Sequence, residues 1–110
     1  MDIPEIDIEQ AQRLLEDGAT FVDVRDPDSF QASHIPGAVH IGDHNVKGFV
    51  DATDKNSHVV VYCYRGHSSL GATAFLRDHG FTNVASLTGG FTAWHAAGGS
   101  AEPGAAASGD

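Results

Sequence analysis

Val59-Val60-Val61-Tyr62-Cys63-Tyr64-Arg65-Gly66-His67-Ser68-Ser69 is the stretch that decides the fold. Three valines and a tyrosine in a row suit a strand covered on both faces, where β-branched and aromatic side chains pack best. The strand runs into Cys63, the one cysteine of the chain. Two serines follow, and Ala72, Phe75 and Leu76 then recur at helical spacing. Cys63 is therefore expected in a loop between the carboxyl end of a buried strand and the amino end of a helix. Backbone N–H groups and the helix dipole both favour a thiolate there. The alternative for a free cysteine is a small buried hydrophobe, and the Gly and Ser that follow Cys63 favour the nucleophile.

Outward from this centre, the chain alternates short strands and helices. Asp7 with Gln10 makes a capping box for a helix carrying Ile8, Ala11, Leu14 and Leu15 and ended by Gly18. Thr20–Val24 reads as a buried strand; Asp26 caps and Pro27 starts a short helix behind it. The segment 34–38 is a turn, 38–41 a strand and 46–50 a short helix. The helix after Cys63 runs to about His79. Val84–Leu87 is another strand, and Gly89-Gly90 turns into a last helix over 91–97. The fold class is α/β, one domain over residues 1–98, with a central, mainly parallel sheet and helices on both faces. Residues 99–110 hold nothing to bury and are expected to form a disordered tail. Ligands of such sheets lie beyond the carboxyl ends of the strands, where Cys63 falls.

Composition narrows the function. Fifteen acidic against six basic residues give a formal charge of −9, which argues against nucleic acid and anionic membranes as partners. No apolar run approaches the roughly 20 residues a membrane helix needs. A single cysteine forms no internal disulfide, and the amino-terminal residues carry no secretory pattern, so the protein is expected in the cytoplasm. A small anionic substrate would meet overall repulsion, leaving local attraction to backbone dipoles and Arg65.

Three segments together resemble one family. Asp23-Val24-Arg25-Asp26 with Ser33-His34-Ile35-Pro36-Gly37-Ala38 is similar to the first signature of rhodanese-type sulfurtransferase domains. Cys63–Ser69 resembles their active-site loop, and Leu87-Thr88-Gly89-Gly90-Phe91-Thr92-Ala93-Trp94 their closing signature. The Cys-Tyr-x-Gly-x-Ser-Ser loop and the small size look most like single-domain, GlpE-type thiosulfate sulfurtransferases. The resemblance implies that Cys63 takes the sulfane sulfur of thiosulfate, releases sulfite, and passes the sulfur from a persulfide to cyanide or a dithiol, with thioredoxin-like proteins as plausible acceptors. It implies no metal and no organic cofactor.

Around Cys63, the N–H groups of Tyr64 to Ser69 would stabilise a charged persulfide. Gly66 permits an unusual backbone angle and close approach of substrate. Ser68 and Ser69 can cap the helix and donate inward. Arg65 either binds the donor anion or is a solvated loop residue; His67 reads first as a surface histidine, second as an aid to the thiolate. Asp23, Arg25 and Asp26 read as structural support beside the site, His34 and Trp94 as packing residues. His40, Asp43 and His44 have a spacing that could hold a metal but lack a further convincing ligand. Two other functions use the same fold. A Cdc25-type phosphatase or arsenate reductase carries arginine six residues after the cysteine, where Ser69 stands here; a non-catalytic rhodanese-like module only binds a partner.

Overall fold

The computed structural model describes residues 2–104. Its elements follow the order β1 (Glu5–Ile6), α1 (Ile8–Glu16), β2 (Thr20–Asp23), α2 (Pro27–Ala32), β3 (Val39–His40), α3 (Val46–Ala52), β4 (Val59–Tyr62), α4 (Ser68–Asp78), β5 (Val84–Leu87) and α5 (Gly90–Ala96). The five strands form one sheet in the order β1-β5-β4-β2-β3, and every pair is parallel. β4 lies at the centre with all four residues buried, as its run of valines predicts. Alternation along the strands divides the core. Phe21, Val60, Tyr62 and Leu87 face α1, α2 and α5 through Ala11, Phe30, Phe91 and Trp94. Val22, Val59, Val61 and Val84 face α3 and α4 through Phe49 and Leu76.

Local chemistry sets the helix starts. Asp7 and Gln10 exchange reciprocal bonds of 2.8 and 3.0 Å at the start of α1, closing the predicted capping box. Asp26 accepts from the Ser29 N–H at 3.1 Å with Pro27 in the first turn of α2. β1 was not foreseen: two residues are too few to show an alternating pattern, and only pairing with Ser86 and Leu87 makes them a strand.

Residues 99–104 correct the expectation of a free tail. Trp94 Nε1 donates to the Ser100 carbonyl at 2.8 Å. His34 and Glu102 exchange backbone bonds of 2.9 and 2.8 Å, and the Gly104 N–H donates to Gln31 at 2.8 Å. The Glu102 carboxylate adds to these, accepting the Gly37 N–H at 3.2 Å and lying 3.4 Å from His34 Nε2; most of the bonds are main-chain, and those carry no side-chain pattern. The rest of the expected tail, 105–110, lies outside the described residues.

The register explains the site. Asp23 pairs with Tyr62, so β2 and β4 end level with each other. The segments that leave them, 24–26 and 63–67, emerge side by side at the carboxyl edge of the sheet.

Candidate active site

Cys63 is the first residue beyond β4 and is 5% exposed. Its Sγ accepts the Gly66 N–H at 3.1 Å and the Ser69 N–H at 3.3 Å. Ser69 Oγ lies 3.3 Å from the same sulfur and 2.7 Å from Ser86 Oγ. When the sulfur is charged, Ser69 donates its hydroxyl hydrogen to it and Ser86 donates in turn to Ser69. Burial works against the charge on Cys63, but the Ser69 hydroxyl and the N–H groups of Ser69, Gly66 and Arg65 outweigh it and hold the thiol below its ordinary pKa.

The loop keeps this shape because α5 grips its other side. Phe91 N–H donates to the Cys63 carbonyl at 2.8 Å and Thr92 N–H to the Tyr64 carbonyl at 2.9 Å. In a trans peptide the C=O and the next N–H point opposite ways, so a Tyr64 carbonyl fixed on α5 turns the Arg65 N–H away from that helix. Gly66 sits at φ +92°, where a Cβ would come within 2.9 Å of the Gly89 nitrogen. That position needs a residue without a side chain.

A cavity of about 330 Å³ opens over the sulfur, between the 24–26 segment and the Cys63 loop. Of the residues singled out from sequence, it is lined by Cys63, Tyr64, Arg65, His67 and Ser68 and also by Arg25 and Asp26. Arg65, His67 and Ser68 are exposed at its rim. Tyr64 is 48% exposed, and its hydroxyl bonds Ser29 Oγ on α2 at 2.6 Å.

Two expectations for the serines need correction. His67 is the N-cap of α4, with no side-chain capping bond, so neither Ser68 nor Ser69 caps the helix. Ser69 already lies inside the first turn, and its side chain turns to the sulfur and to Ser86 instead.

Asp23 lies behind the cavity, fully buried, and does not line it. Its carboxylate receives Arg25 Nε at 3.1 Å and Nη2 at 2.7 Å, and the Arg25 N–H at 2.8 Å. Arg25 Nη2 also donates to the Ser33 carbonyl at 2.6 Å, so the pair ties β2 to the end of α2. His34 is buried, stacked on Phe30 at 3.9 Å, and Trp94 fills the core beside Phe21; both pack, and neither lines the cavity. His40 Nε2 meets the Arg25 carbonyl at 2.6 Å. Ser86 and Gly90 are the two site-forming residues that sequence reasoning missed. A serine within the otherwise apolar run Val84–Leu87 was the available signal for the first, and its full burial bears the role out.

Comparison with known proteins agrees with this geometry. The rhodanese-like domain model matches residues 7–97. A thiosulfate sulfurtransferase GlpE of Pseudomonas syringae pv. syringae is 48% identical over 86 residues, 78% of this chain and 81% of that protein. Its counterpart in Pseudomonas aeruginosa is 49% identical, with 78% of each chain covered. Among solved structures, a rhodanese-like domain from Anabaena sp. superposes with a TM-score of 0.81 at 32% identity, over all of this chain and 85% of that one. A cysteine in a cradle of amides at the end of the central strand, and three signature segments within a matched span of 91 residues, lead to one conclusion: the chain belongs to the rhodanese-like domain family, as a single-domain, GlpE-like, rhodanese-type sulfurtransferase.

Proposed function

We propose that the protein transfers the outer sulfur of thiosulfate to a thiophilic acceptor through a persulfide on Cys63. The observation that carries this reading is the set of donors converging on one sulfur: two backbone N–H groups and a hydroxyl within 3.3 Å. Such a cradle stabilises negative charge on sulfur before attack and again on the persulfide. In the first step the Cys63 thiolate forms a bond to the outer sulfur of thiosulfate. The bond inside the donor breaks, and sulfite leaves with its electron pair. In the second step cyanide or a thiolate takes the terminal sulfur, and the electron pair of the persulfide bond returns to Cys63. The charge balances in both steps, and the two half-reactions give ping-pong kinetics. Tyr64, Arg65, His67 and Ser68 surround the approach, while Gly66, whose Cβ would meet Gly89 and Leu87 rather than the cavity, lets the loop turn behind the sulfur. A dithiol or a thioredoxin-like protein is the acceptor class this chemistry suits.

Intact mass after incubation with thiosulfate tests the reading. A gain of one sulfur atom, lost again on adding cyanide, is the expected result. No gain, together with turnover of a phosphate ester, would move the protein to the phosphatase class; no gain and no turnover would leave a binding module.

The pH dependence follows from the direction of the thiol shift. Cys63 is an acid whose pKa is held down, so alkylation by iodoacetamide rises with pH through that lowered value and levels off above it. Ser69→Ala removes the hydroxyl donor, and the rising limb is expected to move to higher pH. It also leaves the Ser86 hydroxyl short of a partner, at a cost of about 1 kcal/mol in stability. An unchanged limb would mean that Ser69 does not bear on the charge.

A further inference from the structure

One corner of the Arg25 guanidinium makes no hydrogen bond among the described residues. Arg25 spends Nε and Nη2 on the Asp23 carboxylate, side-on, and Nη2 also on the Ser33 carbonyl. Nη1 occupies that corner, on the opposite side. It is not sealed in the core either, because no buried side-chain nitrogen or oxygen there lacks a partner. Only 2% of the Arg25 side chain is exposed, and Arg25 lines the cavity that holds Cys63. Nη1 thus keeps a small opening on a residue that lines the cavity over the sulfur.

We propose that Arg25 has a second role: through Nη1 it binds the sulfonate end of an anionic sulfur donor while Cys63 attacks the outer sulfur. This rests on Cys63 being the nucleophile toward such a donor. The guanidinium is held in place before substrate arrives. Asp23 fixes one edge, and the rings of Phe91 and Tyr64 lie 4.3 and 5.0 Å from its central carbon. A fixed, water-poor cation contributes more to an anion than the exposed Arg65 at the rim, whose field solvent screens. Asp26 also lines the cavity; the Ser29 hydroxyl and N–H hold its carboxyl below the usual carboxylate range, so it stays charged and opposes a donor anion that Arg25 attracts. In a protein of formal charge −9, Arg25 supplies the local attraction that a doubly charged donor requires. This assigns substrate contact to a residue that sequence reading places first as structural support.

Paired alkylation of Cys63 tests the role. Iodoacetate and iodoacetamide undergo the same displacement and differ in charge, so the ratio of their rates cancels any change in thiolate content or loop packing. In Arg25→Gln the iodoacetate to iodoacetamide ratio is expected to fall about tenfold, as befits a lost charge-assisted bond. The KM for thiosulfate should rise by a similar factor, and Arg25→Lys should restore part of both. Because Arg25→Gln strands a buried carboxylate, the double variant Asp23→Asn with Arg25→Gln supplies a neutral, hydrogen-bonded pair in which the same ratio is read. A ratio equal to wild type in a folded variant overturns the assignment to Arg25. Wild-type Cys63 inert to both reagents overturns the nucleophile reading beneath it, and the two failures are told apart by that control.

Discussion

Cys63→Ser is expected to end sulfur transfer from thiosulfate to cyanide, a loss of more than about a thousandfold that leaves only background. The cradle is built around a thiol whose ionisation its donors make easier. Gly66 and Ser69 offer N–H donors at 3.1 and 3.3 Å, enough to draw down a thiol but far from enough to ionise an alcohol. A serine hydroxyl there would accept those donors as a neutral group, and an oxygen cannot carry the transferred sulfur as a persulfide. Stability should change little, by about 1 kcal/mol or less, because the replacement is of similar size and its hydroxyl meets the same partners. Intact mass with thiosulfate is the second readout: wild type gains one sulfur atom and the variant gains none. Ser69→Ala belongs beside it as the graded case, slowed at neutral pH but not stopped. Residual turnover in Cys63→Ser at the Ser69→Ala level would place the nucleophile on another residue.

Local signals made much of the architecture legible. The Asp7–Gln10 capping box, the Asp26–Pro27 helix start and the apolar run of β4 are each decided within a few residues, so they can be read from neighbouring letters. The position of Cys63 follows from the same logic, since strand, cysteine, serines and helix are contiguous. What stayed hidden depends on distant parts of the chain. β1 becomes a strand only against β5. Ser86 reaches Ser69 across 17 positions. Residues 99–104 are fixed chiefly by main-chain bonds to α2 and to His34, which no side-chain pattern advertises, with Trp94 and the Glu102 carboxylate beside them. Arg25 shows the limit most clearly. Its pairing with Asp23, two residues away, is guessable, whereas the direction of its unused corner depends on how β2 and β4 end level in the sheet.

The Gly89-Gly90 pair, read from sequence as a turn within the closing signature, bears on the site through contact, and Gly90→Ala is the substitution that measures it. At φ +62° a Cβ on residue 90 would stand 2.5 Å from the Cys63 carbonyl oxygen and 2.5 Å from the Tyr64 carbonyl carbon and oxygen. Those are backbone atoms of the cradle itself, so no flexible side chain can yield. Either α5 retreats and loses the Phe91 bond to Cys63, or the loop moves and its amides leave the sulfur. We expect a stability loss of about 3 kcal/mol or more, from overpacking added to the positive φ, read as a lower urea midpoint. Sulfur transfer by the folded fraction should fall at least about tenfold, since displacing the donors weakens every step that holds charge on sulfur. Gly71→Ala is the matched control. It lies exposed within α4 with nothing within 4 Å of its Cβ and an ordinary φ, so it should stabilise the protein by about 0.5–1 kcal/mol through helix propensity. If Gly90→Ala instead behaves like Gly71→Ala, the grip of α5 on the Cys63 loop is not what shapes the cradle.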